Sequence, residues 1–121
     1  MSYKTNQDLE SWIESRKLVS EVYPVTKQYP QTELYGLVNQ MRRSAISIPS
    51  NIAEGCGRNH RKDSIQFFYM SRSSLYELET QLFLSFDLGF RDEQRLKSFA
   101  EAEVNCKKLV NGFINYYPTL K

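Results

Sequence analysis

The sequence predicts an all-α protein: an antiparallel, up-and-down four-helix bundle that assembles as a homo-oligomer. Three observations lead to this prediction. Apolar residues recur at helical spacings of three and four along four long segments. Only short connections separate the segments, and short connections make neighbouring helices run antiparallel. A second ordered row of large apolar side chains lies outside the predicted core and indicates a partner surface.

Length and composition are those of one ordinary globular domain, predicted over residues 1–121. Hydrophobic residues make up 40% and charged residues 25% of the chain, which excludes an intrinsically disordered class. No apolar run approaches the roughly 20 residues that cross a bilayer, and the polar N-terminus does not resemble a signal peptide. We therefore expect a cytoplasmic protein with no membrane partner.

The first helix is predicted over residues 8–28. Its expected core face consists of Leu9, Trp12, Ile13, Val19, Val22 and Tyr23. Pro24 lies inside this pattern. Because proline lacks a backbone donor, it is expected to kink the helix or to end it a turn early.

The second helix is predicted over residues 32–55, and its helical spacing persists through Pro49. Its expected core face consists of Leu34, Val38, Met41, Ala45, Ile48 and Ile52. Gly55 and Gly57 bracket its end, where left-handed glycine caps are common.

The third and fourth helices are predicted over residues 61–88 and 92–117. Gly89 follows the third helix as its expected left-handed cap. The expected core face of the third helix consists of Phe68, Ser71, Leu75, Leu78, Leu82 and Phe86. That of the fourth consists of Leu96, Phe99, Val110, Phe113 and Tyr117, with Cys106 and Leu109 adjoining it.

The second apolar row predicts a surface for self-association. Tyr69, Tyr76 and Phe83 repeat every seven residues, about 100° around the third helix from its core face. Ile46 and Ala53 stand off the core face of the second helix in the same way. An ordered row of this kind is seldom left in water, so we predict an oligomer interface. A wide monomeric core is the alternative.

Glu79 projects only about 40° from Leu75 and is expected to be partly buried. A buried carboxylate needs a partner. We predict a structural ion pair of Glu79 with Arg72, while Arg42 on the second helix is the other candidate cation. A catalytic acid or a solvated side chain are the remaining interpretations of Glu79.

Positive charge is concentrated in the second quarter of the chain, although the net charge is only +2. Residues 31–62 contain two acidic residues and five basic ones: Arg42, Arg43, Arg58, Arg61 and Lys62. Repeated in each copy of the predicted homo-oligomer, these five would bind RNA or DNA phosphates without reading bases. A solvated charged loop is the plainer interpretation. A protein-interaction adaptor that does not contact nucleic acid itself is the other function hypothesis.

No catalytic, metal or cofactor site is predicted. Cys56 and Cys106 lie fifty residues apart without a zinc-ligand pattern, and His60 is the only histidine. A di-iron bundle needs paired Glu-x-x-His motifs, which one histidine cannot supply. No phosphate loop or nucleophile–base pair is recognisable. An enzyme is therefore the least favoured class.

Two stretches resemble a known family. Residues 40–55 read QMRRSAISIPSNIAEG, and residues 74–82 read SLYELETQL. Both are similar to the bacterial four helix bundle proteins, first noticed in intervening sequences of 23S ribosomal RNA genes. The resemblance covers nearly the whole chain, and Pro24 is a departure from it. It implies an up-and-down bundle that forms a ring-like homopentamer. A related family, the accessory variability determinants of diversity-generating retroelements, implies nucleic acid and a reverse transcriptase as partners.

Overall fold

The computed structural model describes residues 9–90 and 93–117, and within these ranges the protein is all-α without strands. The helices are α1 (Glu10–Lys27), α2 (Asn39–Cys56), α3 (Arg61–Asp87) and α4 (Glu93–Tyr116). A 3-10 turn (Gln31–Glu33) and a π turn (Leu34–Val38) precede α2. The all-α, four-helix prediction is confirmed. The predicted first residues of the first and fourth helices, 8 and 92, lie outside the described residues.

The regular part of the second helix begins later than predicted because the chain leaves helical geometry at Gly36. This residue has φ −111° and ψ −111°. The Glu33 carboxylate folds back and accepts a hydrogen bond from the Leu37 N–H at 3.2 Å. A Cβ on Gly36 would lie 3.0 Å from Glu33 Oε1, so a residue without a side chain suits this close approach. The helix is regular only from Asn39 onward.

The glycine caps were predicted correctly at one helix end and wrongly at the other. Gly89 has φ 74° and follows α3, as predicted. Gly55 instead lies inside α2 and is buried, and Gly57 has φ −86°, so neither is a left-handed cap. The reason at Gly55 is packing. A Cβ on Gly55 would lie only 2.4 Å from Phe68 Cε1, so the Phe68 ring leaves no room for a side chain there.

The core face predicted for α1 was partly wrong. Leu9 and Val22 are buried, but Ile13 and Tyr23 are exposed, and small polar residues take their place. The buried residues within α1 are Ser11, Ser15, Leu18, Val22 and Thr26. A hydroxyl can enter the core when a carbonyl accepts its hydrogen, as Val22 O accepts from Thr26 Oγ1 at 2.7 Å. The helix continues through Pro24 to Lys27.

Each helix packs against two others, in the pairs α1–α2, α2–α3, α3–α4 and α4–α1. The contact between α2 and α3 is the most extensive, and that between α1 and α4 is the smallest of the four. Hydroxyl groups mark which residues of α2 and α3 lie side by side. Ser74 Oγ donates to Ser47 Oγ at 2.8 Å, and Ser71 Oγ donates to Ile48 O at 2.9 Å. Ser47 therefore lies beside Ser74, and Ile48 lies beside Ser71.

The buried apolar side chains form one core cluster shared by the four helices. From α2 and α3 it includes Met41, Ala45, Ile48, Ile52, Phe68, Leu75, Leu78 and Leu82. From α4 it includes Phe99, Cys106, Val110, Phe113 and Ile114. None of the helices, over the described residues, is both long and apolar enough to span a membrane.

Candidate functional site

Three of the five predicted basic residues lie together at one end of the fold. Arg58 follows α2, and Arg61 and Lys62 open α3, and all three are exposed. Arg58 is held in place, because its Nη2 atom pairs with Glu54 Oε2 at 2.9 Å and its guanidinium lies 4.4 Å from the centre of the Phe67 ring. The connection between α2 and α3 therefore carries three exposed basic residues beside the exposed acids Glu54 and Asp63, and these three basic residues are here called the basic end.

Arg42 and Arg43 do not join the basic end. Arg42 is half-buried; its Nε donates to Thr26 Oγ1 at 3.0 Å and its guanidinium lies over the Tyr23 ring. It thus fastens α2 to α1. Arg43 is exposed but stands fifteen residues before Arg58, roughly 22 Å away along a helix that rises 1.5 Å per residue. A single chain brings together only part of the predicted basic set.

The predicted interface residues are accessible, as an interface would require. Tyr69, Tyr76 and Phe83, here called the α3 stripe, are exposed, and Phe83 is 66% exposed. Ile46 on α2 is exposed as well, while Ala53 is half-buried. The α3 stripe lies on the exposed side of α3 next to α4, as the distance of 5.2 Å between Lys107 Nζ and the centre of the Tyr76 ring indicates.

The prediction that Glu79 forms an ion pair with Arg72 was wrong. Glu79 is half-buried as expected, but its Oε2 atom pairs with Lys107 Nζ of α4 at 2.7 Å. Arg72 instead approaches Asn111 of α4, at 3.5 Å, and lies over the Tyr69 ring. Helical spacing gave the correct face of α3. It could not show which residue of α4 stands opposite Glu79.

Glu103 of α4, which the prediction missed, is the most deeply buried acidic side chain among the described residues. It is 1% exposed, and no hydrogen-bond donor of the described chain reaches its buried Oε2 atom. Burial, followed by the nearby Glu79 charge, raises the pKa of Glu103 from 4.5 to about 7, and a hydrogen bond to Glu79 acts in the same direction. One sequence signal could have found it, since 99, 103, 106 and 110 form an unbroken helical row.

Glu79, Glu103 and Lys107 form a carboxyl cluster at the seam between α3 and α4. The hydrogen bond to Glu79, then the neighbouring Glu103 charge, raises the pKa of Lys107, against the opposing effect of burial. A cavity of about 260 Å³ lies beside the cluster, with apolar walls that include Leu82 and Phe83. Two carboxyl groups and one ammonium leave the cluster with one negative charge once both acids ionise.

Removing the cation of this cluster gives a stability prediction. Lys107→Gln is expected to lower the free energy of unfolding at pH 7 by about 1–2 kcal/mol, because the half-buried Glu79 carboxylate loses a charged donor. Lys17→Gln is the matched control, because Lys17 forms an exposed pair with Glu14 at 2.9 Å. That change is expected to cost under about 0.5 kcal/mol. Equal losses in urea unfolding of the two variants would contradict a structural role for Lys107.

The structure shows where the two thiols and the histidine lie: Cys56 is half-buried, Cys106 is buried and His60 is exposed. Burial raises the pKa of Cys56 to about 11 and, with the charges of Glu103 and Glu14, that of Cys106 to about 12. Neither thiol is a thiolate near neutral pH. His60 is the exposed N-cap residue of α3. Among the described residues, no group of three or more His, Cys, Asp or Glu side chains could hold a metal ion.

A comparison with protein families identifies the relatives of the chain. The model of the family described as 23S rRNA-intervening sequence protein matches residues 7–112. The chain belongs to this family. The match includes the basic end, the α3 stripe and the carboxyl cluster. The family resemblance inferred from the two sequence stretches is thereby confirmed.

The four-helix fold of this family member also occurs in a solved structure. The chain is similar to a protein of unknown function from the S23 ribosomal protein family of Bacteroides thetaiotaomicron, with a TM-score of 0.77 and 20% sequence identity. The likeness covers 86% of this chain and 97% of that one. At this identity it shows the fold alone. No curated protein matches the chain.

Proposed function

We propose that the protein is a non-enzymatic, self-associating four-helix bundle that holds RNA or DNA by its phosphate backbone. The basic end provides the contacts. The observation that carries this proposal is the exposure of Arg58, Arg61 and Lys62 within five positions at one end of the fold. Guanidinium and ammonium groups bind phosphate without base readout. The family's description refers to 23S rRNA, which supports RNA as the first ligand to test.

Self-association is part of the proposal because three cations in one subunit make few phosphate contacts. Several copies on one strand would add their contacts and raise the overall affinity. The exposed α3 stripe supports such an assembly. The side-by-side hydroxyl pairs of α2 and α3 support the antiparallel, up-and-down arrangement, and the family resemblance supports a ring-like homopentamer. A cytoplasmic location stays a prediction.

The test is a charge reversal at the basic end. The variant Arg58→Glu/Arg61→Glu/Lys62→Glu is expected to lose nearly all binding to a fluorescent single-stranded RNA in anisotropy titrations. The native chain is expected to lose affinity steeply as salt rises, because released counterions drive phosphate binding. Helix content by circular dichroism should be the same in both proteins.

A matched control separates the basic end from net charge. Lys17→Glu/Lys27→Glu/Lys108→Glu changes the charge by the same amount at three exposed positions on α1 and α4. This control is expected to weaken RNA binding only slightly. If the two triple variants bind RNA alike, the basic end is not the binding surface. If the native chain binds no RNA at low salt, the nucleic-acid proposal is wrong.

A protein-interaction adaptor, for a reverse transcriptase or an RNA–protein particle, is the second candidate function. It is favoured by large apolar side chains that are exposed outside the α3 stripe. Tyr35 is 90% exposed, and Met70, Leu84 and Leu88 are exposed on or just after α3. Exposed aromatic and aliphatic groups of this kind commonly bind another protein. In this alternative the assembly forms but RNA does not bind.

A further inference from the structure

Two rows of side chains on different helices share one spacing. The α2 row is defined as Arg43, Ile46, Ser50 and Ala53. The α3 row is defined as the α3 stripe with Arg72 and Glu79 between its members. Both rows alternate steps of three and four residues, which keeps each row on one side of its helix and suits helix-to-helix packing.

The two rows cannot meet within one copy. Ser74 faces α2, since its hydroxyl bonds to Ser47. Tyr76 stands two residues further on, about 200° around the helix, and its ring lies against Lys107 of α4. One subunit therefore carries two different surfaces on separate sides. Two different surfaces are what a head-to-tail interface requires, and such an interface closes into a ring when its rotation fits.

The rows also lie at matching heights along the helices. Ser47 is level with Ser74, and Ile48 is level with Ser71, as their hydrogen bonds require. One residue down α2 corresponds to about one residue up α3, since both rise 1.5 Å per residue. Counting residues outward from these two pairs gives the residues of α2 and α3 that lie at the same height along the helix axes, to within about two residues. Arg43 lies level with Glu79, Ile46 with Tyr76, and Ala53 with Tyr69. Copies around an axis that runs along the helices are related by rotation alone, so the side chains that meet have equal heights.

Charge is complementary at one of these levels. Arg43 is exposed, and no acidic side chain of the described residues pairs with it. The carboxyl cluster at the level of Arg43 holds Glu79 and Glu103 with the cation Lys107, and the exposed Lys97 lines the adjoining cavity. The cavity beside it has Phe83 as an apolar wall, which suits the methylene stem of an arginine. A guanidinium entering there would give the Glu79 carboxylate a second charged donor.

We infer that Arg43 of one copy binds the Glu79 carboxylate of the next copy around the ring. The same register sets Ile46 of the first copy against Tyr76 of the next. This inference rests on the self-association proposed above. It assigns Arg43 to the contact between copies and leaves RNA binding to the basic end.

Cysteine cross-linking tests the register. The double variant Ile46→Cys/Tyr76→Cys is expected to form a ladder of covalent multimers under mild oxidation on non-reducing gels, because a disulfide needs Cα atoms within about 7 Å. The matched control is Ala53→Cys/Tyr76→Cys. It shifts the α2 cysteine by seven residues, about 10 Å along the helix, and is expected to give little cross-linking. Both native cysteines stay in place, so the two variants differ only in register.

A charge variant tests Arg43 itself. Arg43→Gln is expected to weaken self-association about tenfold in light scattering against concentration, as for the loss of one partner in an interfacial ion pair. Lys27→Gln removes the same charge from α1 and is expected to leave self-association unchanged.

The outcomes separate this inference from the proposed function. A native chain that stays monomeric at all concentrations would overturn both. An assembled native chain that cross-links equally in the two registers would overturn the inference alone. The inference would also be overturned if the single variant Tyr76→Cys cross-linked as efficiently as the double variant. Cross-linking of one position with itself would indicate copies related by a two-fold axis. An Arg43→Gln variant that assembles like the native chain would show that Arg43 is not part of the contact, and would overturn the inference.

Discussion

Glu103→Gln is expected to make the protein more stable at pH 8, by about 3 kcal/mol, while leaving its stability near pH 4.5 almost unchanged. Glutamine has nearly the shape of a protonated glutamate and can still donate a hydrogen bond to Glu79. It cannot ionise, so it never places a charge at a site that is 1% exposed. Urea unfolding of both proteins from pH 5 to pH 8, at one protein concentration, measures the difference.

The direction of this effect follows from proton binding by the two states. The unfolded chain loses the Glu103 proton near pH 4.5, whereas burial and the nearby Glu79 charge raise the pKa in the folded chain to about 7. Between these values the folded state holds a proton that the unfolded state has released. The stabilising contribution of the protonated group is thus complete below about pH 4.5 and is lost as pH rises through 7.

Glu101→Gln is the control for this experiment. Glu101 lies two residues away on α4 and is exposed, so its replacement is expected to change stability little. A Glu103→Gln variant whose stability relative to the native chain is the same at pH 5 and pH 8 would show that Glu103 titrates normally. The carboxyl cluster would then be solvated rather than buried.

Gly55→Ala is expected to destabilise the fold by about 1–3 kcal/mol, although alanine is the better helix former. Its Cβ would lie 2.4 Å from Phe68 Cε1 and 2.9 Å from the Ser64 carbonyl oxygen. Phe68 cannot retreat easily, because its ring packs at 4.8 Å between those of Phe113 and Tyr117. Helices α2 and α3 would have to separate. Thermal unfolding followed by circular dichroism gives the loss.

Gly112→Ala is expected to change the stability of the protein in the opposite direction. Gly112 lies inside α4, and nothing stands within 4 Å of the Cβ that it lacks. Its replacement is expected to stabilise the protein by about 0.5–1 kcal/mol through helix propensity alone. If both alanine variants shift the melting temperature upward, the close contact of α2 with α3 at Gly55 is wrong.

Apolar spacing predicted most of the core faces of the second and third helices, because their buried rows are largely aliphatic and aromatic. Two of the expected core residues, Leu34 and Phe86, are nevertheless exposed. Met41, Ile48 and Leu75 were all expected in the core and are fully buried. The same method failed on α1. There the buried positions include Ser11 and Ser15, and serine normally indicates a solvated face. The Ser15 hydroxyl donates to the Trp12 carbonyl at 2.9 Å, a local bond that the sequence pattern does not reveal. No hydrogen-bond partner within the described residues reaches the Ser11 hydroxyl.

In the candidate site, too, the sequence predicted features set within one helix and missed those set by packing between helices. Exposure of the α3 stripe depends on rotation around one helix, which the sequence gives. The partner of Glu79 depends on how α4 packs on α3, and Lys107 is 28 residues away along the chain. Arg42 was assigned to nucleic acid from its charge alone. Its contact with Thr26 links residues 16 apart and exists only once α1 and α2 meet.

The unequal contacts among the helices also set the order in which the chain can fold. The largest contact joins α2 and α3, which a short connection links, so it closes at little entropic cost and can form early. The smallest of the four joins α1 to α4, the first and last helices in the chain. It must wait until α4 has left the ribosome. In a nascent chain α2 and α3 can therefore pair, with the α3 stripe on the surface, before Glu103 and Lys107 emerge to pack beside Glu79.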